Sequence, residues 1–147
     1  MAARVFASIL KISPKFKKVV WKRIYQFLAS KYQTEDWTFM NYGFQSMNEP
    51  ERIELKKEDE TNRFFIQLYH FVASKVDLKN KRVLEVGSGR GGGADYVERY
   101  FQPSKMFGVD YSRNAIEFCN KVFKDSKVEY KLGDAENLPF ENESLDV

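Results

Sequence analysis

Residues 82–94 read Arg-Val-Leu-Glu-Val-Gly-Ser-Gly-Arg-Gly-Gly-Gly-Ala, a short apolar strand running straight into a stretch almost free of side chains. Val83, Leu84 and Val86 suit a strand buried in a parallel sheet. Gly87, Gly89 and Gly91 let the backbone turn sharply and approach a ligand more closely than any Cβ would allow. A helix after the turn would aim its free N–H groups at the same spot. The segment therefore predicts a strand, a turn and a helix built around a nucleotide-like ligand. Which ligand stays open on these residues alone, because Gly-x-Gly-x-x-Gly strings serve several cofactor folds and many plain turns.

The acids around the glycines narrow the choice. Glu85 stands two residues before Gly87, at the carboxyl end of the first strand. Residues 106–110, Met-Phe-Gly-Val-Asp, form a second predicted strand ending in Asp110, 23 positions after Gly87. A ribose-binding carboxylate belongs there in a doubly wound sheet. A third strand, 128–132, runs into Gly133, Asp134, Ala135 and Glu136, then Asn137-Leu138-Pro139-Phe140. Three strand ends thus deliver acids or glycines to one sheet edge, which suits a cofactor with a ribose, an adenine and a cationic methionine moiety. Each feature also has a plainer reading: the glycines as a simple strand-to-helix turn, Asp110 as a helix-start residue ahead of an N-cap at Ser112, Asp134 as a solvated turn residue.

Val83-Leu84-Glu85-Val86-Gly87-Ser88-Gly89-Arg90-Gly91, Gly108-Val109-Asp110 and Gly133-Asp134-Ala135-Glu136-Asn137-Leu138-Pro139-Phe140 resemble motif I, its following acid and motif II of class I S-adenosylmethionine-dependent methyltransferases. Upstream, Phe39-Met40-Asn41-Tyr42-Gly43, Gln67-Leu68-Tyr69-His70, Val76-Asp77-Leu78 and Gly91-Gly92-Gly93 are similar to the lipid-modifying phthiotriol/phenolphthiotriol dimycocerosates methyltransferase type, which O-methylates a long-chain lipid alcohol. The resemblance implies S-adenosyl-L-methionine as cofactor. It also implies site roles: Glu85, Gly87, Ser88, Gly89 and Gly91 around the methionine end, with backbone amides toward its carboxylate and Glu85 toward its cationic side. Asp110 would accept both ribose hydroxyls, Asp134 and Ala135 would read adenine, and Tyr111 and Leu138 would wall the adenine slot. Tyr42 would close over the methionine portion or, equally, plug the sheet with its neighbours. Arg90 departs from a small-residue turn, so its side chain must point away from the ligand.

The implied fold is α/β, a Rossmann-like methyltransferase sheet of which only the N-terminal part is present, preceded by a helical extension. With 147 residues, the chain supplies three strands before residues 144–147, which read as the opening of a fourth strand beside the first. A seven-stranded family sheet would leave this chain a fragment without its acceptor-binding half, and inactive. The expected organisation is a basic helical extension and linker over 1–60 and a cofactor-binding domain over 61–147. The second region's first helix is expected from about residue 61 to 76, with Phe64, Phe65, Leu68 and Val72 on one stripe. Residues 51–60 read as a solvated linker or helix start.

Up to Thr34 there are eight Lys or Arg and no acid, although the whole chain carries 24 basic and 21 acidic residues. The +3 total is therefore a basic head on a mildly acidic body. Phe16, Val19, Val20, Ile24, Phe27 and Leu28 recur at helical spacing with lysines and arginines between them. A lid helix, a peripheral membrane helix and a mitochondrial transit peptide all fit. No stretch is long enough to span a bilayer, residues 5–10 are too short for a secretory signal, and no nucleic-acid motif is present. The expected location is cytoplasmic, with membrane association through the basic helix. His70, the only histidine, is a candidate base, and the single Cys119 lies on a helix stripe that reads as core. No metal-ligand cluster is visible. The expected partner is a lipid or small-molecule acceptor. A nicotinamide-dependent oxidoreductase fits the first strand, glycines and Asp110 equally, and a catalytically silent membrane- or partner-binding module is the reading outside enzymes.

Overall fold

The computed structural model describes residues 19–21, 23, 24, 37–45, 47 and 53–147. Residues 19–21, 23 and 24 are helical, within a unit of residues 1–34, and Val19 and Trp21 are exposed. Phe16, Phe27 and Leu28 of the predicted amphipathic stripe lie outside the described residues. The second unit, residues 35–147, contains the sheet.

Its elements are a short 3-10 helix Lys57–Asn62, then α1 Arg63–Ala73, β1 Arg82–Val86, α2 Gly92–Phe101, β2 Lys105–Asp110, α3 Arg113–Val122 and β3 Val128–Leu132. The three strands are parallel in the order β1-β2-β3, with Glu85 opposite Gly108 and Asp110 opposite Leu132. Parallel neighbours need crossovers, and α2 and α3 supply them. Because side chains alternate along a strand, Val83, Met106, Val128 and Tyr130 share one face, where they form a single core with Ile66, Ala94, Tyr96, Val97, Ile116 and Cys119 from the helices. On the other face, Phe107 packs edge-on against Phe140 of the segment after β3, with ring centroids 5.1 Å apart.

Residues 144–147 run beside β1 on the edge away from β2. The Leu84 amide donates to the Val147 carbonyl at 2.9 Å and the Val147 amide to the Arg82 carbonyl at 3.3 Å, a parallel pattern with Val147 facing Val83. The fourth-strand expectation thus has its geometry, and the first half of β1 is paired on both sides.

Two expectations need correction. The predicted stripe on α1 is the wrong face: Phe64 and Val72 are exposed, whereas Ile66 is fully buried and Phe65, Tyr69 and Ala73 pack on the core. The aromatic loop ahead of α1 and the helix α2 decide the rotation, since Phe39 stacks on Phe65 at 6.1 Å and meets Tyr69 at 5.9 Å. Nor is the charged stretch before α1 solvated throughout. Asp59 is buried and accepts both guanidinium arms of Arg99 at 2.7 and 2.8 Å and the Tyr100 hydroxyl at 2.6 Å. Burial raises the Asp59 pKa, but these donors outweigh it and hold the carboxyl below its ordinary range.

Candidate cofactor site

The glycine turn takes the left-handed conformations its composition permits, with φ of +79° at Gly87, +52° at Gly89 and +84° at Gly91. Gly91 also needs to lack a side chain, since a Cβ there would stand 2.9 Å from both Cys119 Sγ and the Tyr130 hydroxyl. These two residues form the floor: Tyr130 donates to the Gly91 carbonyl at 2.8 Å and the Cys119 thiol to the Gly89 carbonyl at 3.4 Å. Burial pushes the thiol up to about 12, so Cys119 is packing and not a nucleophile. Above Gly87 the space is open.

Asp110 ties the turn to the next strand tip. Its Oδ2 accepts the Gly89 amide at 2.9 Å and its Oδ1 the Ser112 amide at 2.8 Å, while its carbonyl accepts the Gly133 amide at 3.0 Å. One residue therefore links the ends of β1, β2 and β3. Each carboxylate oxygen has a second lone pair for a ligand hydroxyl. Ser112 caps α3 by accepting the Ala115 amide at 3.4 Å, so the helix-start and strand-tip roles coexist. Beyond β3, Asp134 Oδ1 accepts the Glu136 amide at 3.1 Å, and Asp134 and Asn137 form a bridge that holds the turn closed. Ala135 and Tyr111 are exposed beside it, and Leu138 is half-buried.

Glu85 is the most perturbed acid of the site. Burial pushes its carboxyl up to about 7 from an ordinary 4.5, Asp110 adds to the rise, and the Tyr69 hydroxyl and the Ala94 amide oppose it. Two enclosed polar atoms at this edge lack a hydrogen-bond partner, Glu85 Oε2 and Ser88 Oγ. A buried polar atom without a partner is costly, and an acidic one is relieved by a cationic ligand.

Arg90 points away from the turn, as its bulk requires. It is buried, its guanidinium carbon 3.6 Å from the Phe118 ring centroid and 5.1 Å from that of Trp37, and its Nε donates to the Trp37 carbonyl. With the Gly92 amide on the Thr38 carbonyl at 3.2 Å, this anchors the aromatic loop to the turn. Tyr42 is fully exposed, and the loop residue beside Gly89 is Met40, whose Sδ lies 3.4 Å from where a Gly89 Cβ would be. His70, the candidate base, hydrogen-bonds the Tyr96 hydroxyl through Nδ1 at 2.8 Å and packs on Phe101, in a hollow it shares with Ile53 and Tyr100. Its neighbour Tyr69, to which the Gln67–His70 stretch gives no site role, packs on the first turn of α2, where a Gly93 Cβ would stand 2.0 Å from its ring. A hollow of about 1060 Å³ lies at the opposite end of the strands among Lys56, Arg99, Lys105 and Lys127, away from every strand-tip acid. Among the described residues no cluster could hold a metal ion, and no helix is long and apolar enough to cross a membrane.

Residues 83–147 match the family model of a methyltransferase domain. This part of the chain belongs to that family. The chain is 40% identical over 126 residues to a fatty-acid O-methyltransferase of Mycolicibacterium smegmatis, covering 86% of this chain and 46% of that protein. It is 41% identical over 130 residues to a phthiotriol/phenolphthiotriol dimycocerosates methyltransferase of Mycobacterium leprae, covering 88% of this chain and 48% of that protein. The chain thus spans about half the length of these relatives. Among solved structures, the geranyl diphosphate C-methyltransferase of Streptomyces coelicolor, complexed with S-adenosyl-L-homocysteine, shares the fold at TM-score 0.57 and 18% identity, over 82% of this chain and 51% of that one. The methyltransferase domain therefore has the Rossmann-like architecture that its strand order and crossovers display.

Proposed function

We propose that this methyltransferase domain binds S-adenosyl-L-methionine and serves an enzyme that O-methylates a lipid or small hydrophobic acceptor. The convergence of three strand tips on the glycine turn, with Glu85 Oε2 and Ser88 Oγ enclosed and unpartnered, carries the cofactor half of the reading. The names of the two bacterial relatives support the acceptor class.

We assign Glu85 to the cationic methionine end and the amides of residues 87–91 to its carboxylate. Asp110 takes the ribose hydroxyls, Asp134 and the Ala135 amide take adenine, and Tyr111 and Leu138 flank the ring. Bound S-adenosyl-L-methionine supplies an already activated methyl group on a sulfonium. The residues of this chain then have positional work: to hold that group in line with an acceptor oxygen and to keep water out. The basic head, with Trp21 exposed, supports a peripheral membrane contact at the cytoplasmic face, where a lipid acceptor would be met.

Thermal unfolding of the chain with S-adenosyl-L-homocysteine or NAD tests the cofactor assignment against the oxidoreductase alternative. A ligand at about a hundred times its Kd stabilises by about 2.7 kcal/mol. The homocysteine compound is expected to raise the Tm and NAD to leave it unchanged; the reverse pattern refutes the assignment.

A further inference from the structure

Met40 is an apolar side chain on a loop that the fold pins on both sides of it. Ahead of Met40, Arg90 Nε donates to the Trp37 carbonyl and the Gly92 amide to the Thr38 carbonyl at 3.2 Å. Phe39 is buried against the start of α2, where a Cβ on Gly92 would stand 2.8 Å from the Thr38 carbonyl oxygen and 3.1 Å from the Phe39 ring. After Met40, Asn41 donates through Nδ2 to the Phe65 carbonyl at 3.1 Å and accepts the Gly43 amide on Oδ1 at 2.7 Å. The Phe44 amide then donates to the Phe64 carbonyl at 2.8 Å, and the Gln67 side-chain amide to the Phe44 carbonyl at 2.8 Å. The backbone of Met40 is therefore held between the glycine turn and α1.

From there the thioether reaches the turn. Its Sδ lies 3.4 Å from where a Gly89 Cβ would be, and among the described residues it is the one atom beyond the chain neighbours of Gly89 within 4 Å of that point. Over Gly87 the same test meets nothing. Met40 thus borders the open space above the turn, at the edge where Glu85 Oε2 and Ser88 Oγ are enclosed and unpartnered. It is still 45% exposed, although Phe39 before it is 6% exposed. A side chain whose backbone is already fixed loses little further freedom when a ligand covers its bare half. A thioether is soft, polarisable and without a donor, so it competes neither with Glu85 for a cation nor with the turn amides for a carboxylate.

We propose that Met40 is a cofactor-contact residue: its thioether closes the methionine end of the cofactor from the loop side, packing on the methylenes between the carboxylate held by the turn and the sulfonium. The inference rests on the cofactor reading above. It gives Met40 the covering position that the sequence suggested for Tyr42, whose side chain is fully exposed.

The full chain labelled with [methyl-¹³C]methionine is titrated with S-adenosyl-L-homocysteine, and Met40→Leu assigns the Met40 signal by its loss. The Met40 methyl is expected to shift saturably and to show intermolecular NOEs to the ligand, while the methyls of exposed Met47 and buried Met106 stay in place. By calorimetry, Met40→Ala should bind about tenfold more weakly, the worth of half a buried methionine side chain, with a Tm near that of the unsubstituted chain. Met40→Leu, which keeps the apolar bulk, should bind within about threefold of it. A Met40 methyl that neither shifts nor shows NOEs while the Gly87 and Asp110 amides saturate, or an alanine variant that binds as tightly as the unsubstituted chain, overturns the contact. Absence of binding by the unsubstituted chain overturns the cofactor reading itself, so the two failures are distinct.

Discussion

Glu85→Gln should stabilise the ligand-free fold while weakening its hold on the cofactor. The Glu85 carboxyl is pushed up to about 7 from 4.5, with burial the largest cause. A carboxyl that holds its proton more tightly when folded contributes most below its unfolded pKa. That contribution is lost as pH rises from 4.5 to about 7, and nothing further is lost above. At about 1.36 kcal/mol per pH unit, this interval amounts to about 3 kcal/mol, a ceiling because some of the residue meets solvent. Glutamine has the same shape and does not titrate. Urea unfolding of both proteins at pH 5 and pH 8 isolates the effect, since the titration of every other group cancels in the difference. The stability difference should swing toward glutamine by up to about 3 kcal/mol between the two pH values. At pH 8, calorimetry should show S-adenosyl-L-homocysteine binding weakened about tenfold to a hundredfold, the worth of one hydrogen bond to a charged group. A difference that does not change with pH, or a glutamine variant less stable at pH 8, refutes the burial argument.

Asp110→Ala removes the acceptor of the Gly89 and Ser112 amides together with the assigned ribose ligand. Equilibrium dialysis with tritiated S-adenosyl-L-methionine should show a loss of about a hundredfold or more; retention at the unsubstituted level contradicts the ribose assignment. Asp59→Asn leaves the Arg99 guanidinium with Asp95 alone, at 2.8 Å, and should cost about 3 kcal/mol at pH 7 by urea unfolding. Because the folded Asp59 pKa is lowered, its contribution is present above the ordinary carboxylate value and lost as pH falls through the folded one. The gap between the two proteins should therefore shrink in acid, and an equal gap at pH 7 and pH 3 argues against the ion pair.

The parts of the site that were readable in the sequence are those fixed by backbone geometry. Glycines at Gly87, Gly89 and Gly91 mark positive φ, and acids at the ends of apolar runs mark strand tips, because strand period and turn conformation are local properties. The orientation of Arg90 was also legible by exclusion, since a guanidinium inside the turn had nowhere to go but outward. The face of α1 was not. Phe64, Phe65, Leu68 and Val72 make as good a helical stripe as Phe65, Ile66, Tyr69 and Ala73, and only the packing of Phe39 and α2 chooses between them. Asp59 was missed because its partners, Arg99 and Tyr100, lie about forty residues away, and charge density near it reads as solvation. The packing of Tyr69 on α2 left a trace in the third consecutive glycine, Gly93, which the turn alone does not require but the phenol ring does.

Amide chemical-shift mapping of the chain during titration with S-adenosyl-L-homocysteine tests the central claim most directly. Saturable shifts clustered at Gly87, Gly89, Asp110 and Ala135 are predicted, with none of comparable size around the hollow at Lys105 and Lys127. Shifts scattered away from the three strand tips, or the same cluster appearing only with NAD, would contradict it.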